Sequence, residues 1–289
     1  MLLNSVESIL QKAGFEYSEY CGCFDIIARR DFTLLLKVLM NVDSFQNEQA
    51  NNLKVLSNNL KAFSALIGIQ TRYDKLRDNI IYERFGIPTF TQKTLENIVH
   101  GYQPLTRRFR GGLFIEINPE KLRKKRIDAG FTQEELANRV GVTKKSIYEH
   151  EQRTMHARQS VVLKIENIIG RISEPTKLEC KFADIENKPS CRFESTVSCD
   201  MRRAGFKTDF VHQTPFNIIA KDERFITFLD AEEHEKTIKK KVPYMLGFSE
   251  IMKKSVLVVT KKSIDVAVPT LKESELKGMK PKDIRKILM

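Results

Sequence analysis

The residue order predicts an α+β multidomain chain in which a central all-α unit of four or five helices stands between two related α/β units. Three observations carry this. At 289 residues the chain is long enough for two or three domains. Landmarks near the N-terminus recur, in order, near the C-terminus. Between the two copies lies FTQEELANRVGVTKKSIYEHEQ (131–152), which has helical spacing broken by one glycine turn.

In chain order, Leu2, Leu3, Val6, Ile9 and Leu10 have the spacing of a helix over residues 1–12. FDIIARR and FTLLLKVLM then read as a β-hairpin turning at Arg30-Asp31. A helix is expected over 45–67, through Leu53, Val55, Leu56, Leu60, Phe63 and Leu66. Strands follow at 67–71 and 80–82, and FGIPTFTQKTLENIV closes the unit with a strand end and a helix capped by Thr91 or Thr94. Alternating helices and strands imply an α/β layout.

The last third repeats it. Ala13-Gly14-Phe15 matches Ala204-Gly205-Phe206, and Phe24-Asp25-Ile26-Ile27-Ala28-Arg29 matches Phe216-Asn217-Ile218-Ile219-Ala220-Lys221. After a one-residue insertion FTLLLK (32–37) matches FITFLD (225–230), and IPTFTQKTLENI (87–98) matches VPTLKESELKGM (268–279). The implied boundaries are 1–100 for the first copy, 101–117 for a linker and extended arm, 118–172 for the helical unit, 173–192 for a second linker and 193–289 for the second copy.

Charge singles out the middle. Residues 1–100 balance 11 basic against 11 acidic side chains, 101–171 carry 15 against 8, and 172–289 carry 23 against 18. More than half of the net +12 therefore sits in about a quarter of the chain, as expected of a polyanion-binding module. Five cysteines at irregular spacing and five scattered histidines supply no zinc pattern, so reduced thiols, no metal and no cofactor are expected. The N-terminus lacks a signal-peptide pattern and no run approaches a membrane span, which predicts a cytoplasmic, nucleoid-associated protein without membrane contact.

Pro119 suits a first helical turn, and LRKKRIDAG runs to Gly130. Thr132 with Glu135 forms a capping box for the next helix, where Leu136 and Val140 face the core and Gly141 supplies the turn. Thr143 caps a third helix with Ile147 inward and Lys144, Lys145, Ser146 and Glu149 outward. SVVLKIENIIG closes the core through Val161, Leu163, Ile165 and Ile168.

This stretch of about 50 residues resembles the helix-turn-helix of the phage repressor/Cro class. The resemblance implies that Lys144, Lys145 and Glu149 read base edges in the major groove. It implies phosphate contacts at Thr132, Gln133, Ser146 and Arg153, and an internal ion pair between Arg126 and Glu151. Taken whole, RGGLFIEINPEKLRKKRIDAGFTQEELANRVGVTKKSIYEHEQ looks like the centre of the archaeal HTH-type transcriptional regulatory proteins. That likeness implies a regulator binding double-stranded DNA, expected to act as a homodimer on a two-fold-related operator, with no effector identifiable.

The flanking copies resemble the restriction-endonuclease-like fold, whose motif is D…(D/E)-x-K with carboxylates that hold Mg²⁺. Asp25 and Lys37 stand at matching places, but the second acid position is Leu35. In the second copy the three positions are Asn217, Phe228 and Asp230. Two inactive scaffolds, used for dimerisation or further DNA contact, are therefore expected rather than an enzyme. A Mg²⁺-dependent nuclease or junction resolvase, and an antitoxin-like repressor, are the rival readings.

Overall fold

The computed structural model describes residues 1–152, 156–176, 178, 182–223 and 225–288. The first unit runs α1 (Leu2–Lys12), β1 (Glu16–Glu19), β2 (Ile26–Arg29), β3 (Thr33–Asn41), α2 (Asn47–Leu60), β4 (Phe63–Gln70), β5 (Ile80–Arg84), β6 (Ile87–Phe90) and α3 (Gln92–Val99). The Thr91 hydroxyl accepts from Thr94 N–H at the start of α3, as a cap should. The helix expected over 45–67 stops at Leu60, and Phe63 and Leu66 belong to β4. Its terminator is Lys61 in the left-handed region at φ 52°, a position where glycine would have been the visible signal.

The middle of the chain forms β7 (Thr106–Phe109), β8 (Gly112–Ile117), α4 (Pro119–Asp128), α5 (Gln133–Val140), α6 (Lys144–Gln152), β9 (His156–Arg158), α7 (Gln159–Ile169) and β10 (Ser173–Glu174). The arm expected over Gly112–Ile117 is strand β8, while the segment before it, expected as a linker, supplies its hairpin partner β7. Thr106, Ile115 and Ile117 alternate inward and are buried. The last third forms α8 (Arg192–Arg203), β11 (Lys207–Phe210), β12 (Ile218–Lys221), β13 (Ile226–Ala231), α9 (Glu235–Met252), β14 (Ser255–Thr260), β15 (Thr270–Lys272), α10 (Glu273–Leu276) and α11 (Pro281–Leu288).

The strand orders β1-β2-β3-β4-β6 and β11-β12-β13-β14-β15 are the same. In each, the first three strands are antiparallel and the next two pairings are parallel. Register agrees too: Ile27 lies opposite Leu35, and Ile219 opposite Phe228.

Both faces of each sheet are buried, and side-chain alternation assigns them. Ile26, Ala28, Leu34 and Leu36 pack on α1 and α3, with Val6, Leu10, Leu95 and Val99. Ile218, Ala220 and Leu229 pack on α8, with Phe193, Val197 and Met201. The alternate residues, Phe24, Ile27 and Leu35 from one sheet and Phe216, Ile219 and Phe228 from the other, meet in one shared core. Leu53 and Leu56 of α2 and Met245 and Phe248 of α9 fill it. Phe216, Phe228 and Phe248 form a triangle with centroids 4.7 Å apart, a spacing that adds to their burial. The two copies are thus each other's partner within a single chain.

The first sheet continues into the central unit. β5 pairs β6 antiparallel and β7 in parallel, β7 pairs β8, and β8 carries both β9 and β10. No helix among the described residues is long and apolar enough to cross a membrane.

Candidate nucleic-acid interface

The central helices are set by local signals. Asn118 Oδ1 accepts from Lys121 N–H at 2.9 Å and Pro119 opens α4. At α5 the Glu135 carboxylate accepts from Thr132 N–H at 2.8 Å while the Thr132 hydroxyl accepts from Glu135 N–H at 3.1 Å, a reciprocal capping box. Those N–H and hydroxyl donors hold the Glu135 carboxyl below the usual carboxylate range. Gly141 adopts φ 80°, which gives the abrupt turn into α6 without the penalty a Cβ would bring. Thr143 Oγ1 accepts from Ser146 N–H at 3.2 Å.

Packing then fixes which face of α6 is free. Leu136, Ala137, Val140 and Ile147 are buried against Ile115, Ile117, Leu122, Ala157, Val162 and Ile165. Of the residues expected to close this core, Ile165 is buried and Val161 and Ile168 pack against it, but Leu163 is 48% exposed. Helical phase places the neighbouring Val162 inward instead. Opposite this core, Lys144, Lys145 and Tyr148 are exposed and Ser146 and Glu149 half-buried. Lys144 Nζ lies 3.6 Å from Glu134 and Lys145 Nζ 3.8 Å from Glu149. Exposed pairs of this kind are worth about 0–1 kcal/mol, so these lysines are readily released to a stronger anion.

Beneath that face lies a buried clamp. Arg126 Nε and Nη2 donate to the Glu151 carboxylate at 2.6 and 3.1 Å, and Arg126 Nη1 donates to the Phe131 carbonyl at 2.7 Å. Gln133 Nε2 adds a third donor to Glu151 at 2.7 Å. The fork ties α4 to the last turn of α6 with planar bidentate geometry. It also engages the Gln133 amide, as the capping box engages Thr132, so both side chains point into the protein's own network. His150 is buried on α6, and burial lowers its pKa from the ordinary value. Arg153 lies outside the described residues.

The nuclease-like positions are closed as well. Lys37 Nζ donates to Asp25 Oδ1 at 2.7 Å and to the Gly22 carbonyl at 2.8 Å, and Val38 N–H donates to Asp25 Oδ2 at 2.7 Å. Leu35 points into the shared core. In the second copy Ala231 N–H donates to Asn217 Oδ1 at 2.8 Å, the bond that Val38 makes to Asp25. Asp230 is buried and paired with Lys241 of α9 at 2.7 Å. Burial pushes its carboxyl up to about 6 in spite of that lysine. Among the described residues, no group of three or more His, Cys, Asp or Glu is arranged to hold a metal ion.

Charge and spacing did not single out Tyr148 or the β7–β8 hairpin. Tyr148 is an uncharged residue in a lysine run, and the hairpin pairs with β5 and β9, a relation invisible in local periodicity.

Comparison with known proteins agrees with this geometry. A PD-(D/E)XK superfamily domain matches residues 1–104 and a helix-turn-helix matches residues 122–175. A relative from Pyrococcus abyssi is 34% identical over 81% of this chain and 78% of its own length. One from Archaeoglobus fulgidus is 32% identical over 99% and 96%, and one from Pyrococcus horikoshii is 31% identical over 98% and 94%. All three bear the name "Putative HTH-type transcriptional regulatory protein". No solved structure matches.

Proposed function

Because the chain belongs to the family of archaeal HTH-type transcriptional regulatory proteins, we propose that it is a sequence-specific regulator reading double-stranded DNA through α6. The observation that carries this is the outward Lys144–Lys145–Glu149 face of α6, backed by the buried Arg126–Glu151 fork. Lysine ammonium groups fit guanine O6 and N7, and the Glu149 carboxylate fits the cytosine amino group. Phosphate contacts fall to Ser146, Arg153 and the backbone N–H of Gln133 at the start of α5. The Thr132 hydroxyl is the weakest member of that set, since Glu135 already occupies it.

We read residues 118–172 as the reading domain, with 1–100 and 193–289 as a duplicated, catalytically inert scaffold of nuclease-like fold. Two chains would sit as a homodimer on half-sites related by a two-fold axis, about one helical turn or a multiple of it apart. The apolar faces on which the copies could have dimerised between chains are already used inside one chain. A homodimer would therefore use another surface.

Selection of binding sites from a random duplex pool tests the reading. Wild-type protein should enrich one sequence, and Lys144→Ala with Lys145→Ala should lose about 1–3 kcal/mol of discrimination per lost base contact. Equal enrichment by both proteins would remove α6 as the reading helix. The second reading is a Mg²⁺-dependent nuclease, favoured by the match over residues 1–104 and by the Asp25–Lys37 pair. It requires duplex cleavage with Mg²⁺ that Asp25→Ala abolishes. A leucine at the second acid position opposes it, because Mg²⁺ takes oxygen ligands.

A further inference from the structure

The hairpin β7–β8 and the short strand β9 make a small sheet whose two faces differ in chemistry. Its inner residues, Thr106, Ile115, Ile117 and Ala157, are buried. Alternation puts Arg107, Phe109, Phe114, Glu116, His156 and Arg158 on the outer face. Arg110 and Gly111 form the tip between Phe109 and Gly112. Gly111 has φ 93°, and a Cβ built there would meet nothing within 4 Å, so the tip stands clear in solvent.

The face is braced for contact. Phe109 remains 37% exposed, yet its ring lies 5.7 Å from Phe114 and 5.0 Å from the His156 imidazole. The tip is thereby fixed to β9. Arg110 at the tip and Arg158 on β9 are exposed and have no ion pair among the described residues. Glu116 is the single acid of these three strands, and Glu174 of β10 opposite it is already paired with Lys121.

Placement supplies the partner. His156 follows Gln152, the last residue of α6, by four positions, so chain geometry keeps it within roughly 14 Å of the helix end. The major groove is about 12 Å wide, and a phosphate ridge borders it on either side. A face this close to the end of α6, bearing Arg158 and Arg110, is within reach of one of those ridges. Cationic side chains there would neutralise phosphates without reading bases.

We propose that the Arg107–Gly112 hairpin together with β9 is a second DNA contact, gripping the phosphate strand that flanks the groove entered by α6. The assignment rests on the DNA-binding reading of α6. It adds a contact that fixes orientation and salt dependence but not sequence.

The test uses full-length chain and a duplex selected by the wild-type protein. Arg110→Ala with Arg158→Ala should lower the slope of log K against log salt concentration by about 2, close to 0.9 per lost phosphate. Hydroxyl-radical protection should retreat from one flank, while the preference for the selected sequence over scrambled DNA stays the same. Arg110→Lys with Arg158→Lys should recover the slope, which a purely structural effect of the alanines would not allow. An unchanged slope together with unchanged flank protection overturns the proposal alone, provided Lys144→Ala with Lys145→Ala still abolishes sequence preference. Wild-type protein that binds no duplex overturns both readings together.

Discussion

Arg29 on β2 donates from Nη1 to the Met252 carbonyl at 2.7 Å, at the C-terminal end of α9 in the other repeat. Its counterpart Lys221 on β12 donates to Asn59 Oδ1 at 2.6 Å, at the C-terminal end of α2. Both helices stop at a lysine in the left-handed region, Lys61 and Lys253, each at φ 52°. Cations there also oppose the negative end of the helix dipole. Each repeat thus brings a cation to the end of the other's central helix, Arg29 onto a main-chain carbonyl and Lys221 onto the Asn59 side chain.

Arg29→Met keeps the apolar stem and removes the charged donor. A loss of about 1.5–3 kcal/mol is expected, the usual worth of a hydrogen bond to a charged group. Urea denaturation followed by far-UV circular dichroism should show a lower midpoint with both repeats still unfolding together. Two separated transitions in the wild type would contradict the shared core.

Arg126→Ala should be more damaging, because it leaves Glu151 buried and uncompensated. About 3–5 kcal/mol is expected, confined to the central helices. Amide exchange should accelerate across α4, α5 and α6 while β2, β3 and β4 stay protected. Arg126→Met with Glu151→Leu should recover much of that loss. Uniform deprotection of the entire chain would show that the central helices are not a separate cooperative unit.

Asp25→Asn should be nearly silent for DNA binding but costly for stability, because it leaves the buried Lys37 without its acid, while the main-chain bond to the residue-25 side chain survives. Asn217 already fills this place in the second repeat, where its Oδ1 accepts the equivalent N–H. Asp25→Leu should be worse, since it strips Val38 of its acceptor as well as Lys37 of its acid. Gel analysis of duplex DNA with Mg²⁺ should show no cleavage by wild type or either variant. Cleavage that requires Asp25 would instead establish the nuclease reading.

Asp230 makes stability fall as pH rises. Its folded carboxyl titrates at about 6 against an ordinary 3.8, so the folded chain holds this proton more tightly than the unfolded one. The contribution is fully present below about pH 3.8 and is lost as pH rises through about 6. Its size is on the order of 2–3 kcal/mol. The stability difference between wild type and Asp230→Asn, from chemical denaturation, should change across that window and be flat above about pH 7. A flat difference from pH 4 to 7 would rule out the buried, proton-retaining carboxyl.

Much of this architecture was legible because both copies kept landmarks with local causes. The Ala-Gly-Phe turn needs its glycine, with φ 76° at Gly14 and 92° at Gly205. Strand β1 escaped notice because Glu16-Tyr17-Ser18-Glu19 has one hydrophobic residue, Tyr17, and so shows no alternation. The face-to-face packing of the copies was also missed, though Ile26, Ile27 and Ala28 are apolar in succession. Such a run marks a strand covered on both sides, but not what covers it. At the candidate site the capping box was readable from spacing, whereas the Arg126–Glu151 pair followed from the resemblance to the repressor class. The engagement of Gln133 by Glu151 was not, because it depends on where α6 ends relative to α5.

The pairing of Ile80 with Thr106 and of Ile81 with Arg107 splices the central helices onto a sheet instead of hanging them on slack chain. A head mounted in this way keeps its angle and can register helical phase. Adding one base pair between two bound chains turns one site against the other by roughly a tenth of a turn, since a turn holds about 10–10.5 base pairs. Among the described residues, the pairing of β5, β7 and β8 leaves the central helices no loose tether with which to follow. Affinity for paired sites should therefore rise and fall with spacing in steps of one helical turn, as two gears mesh only tooth by tooth.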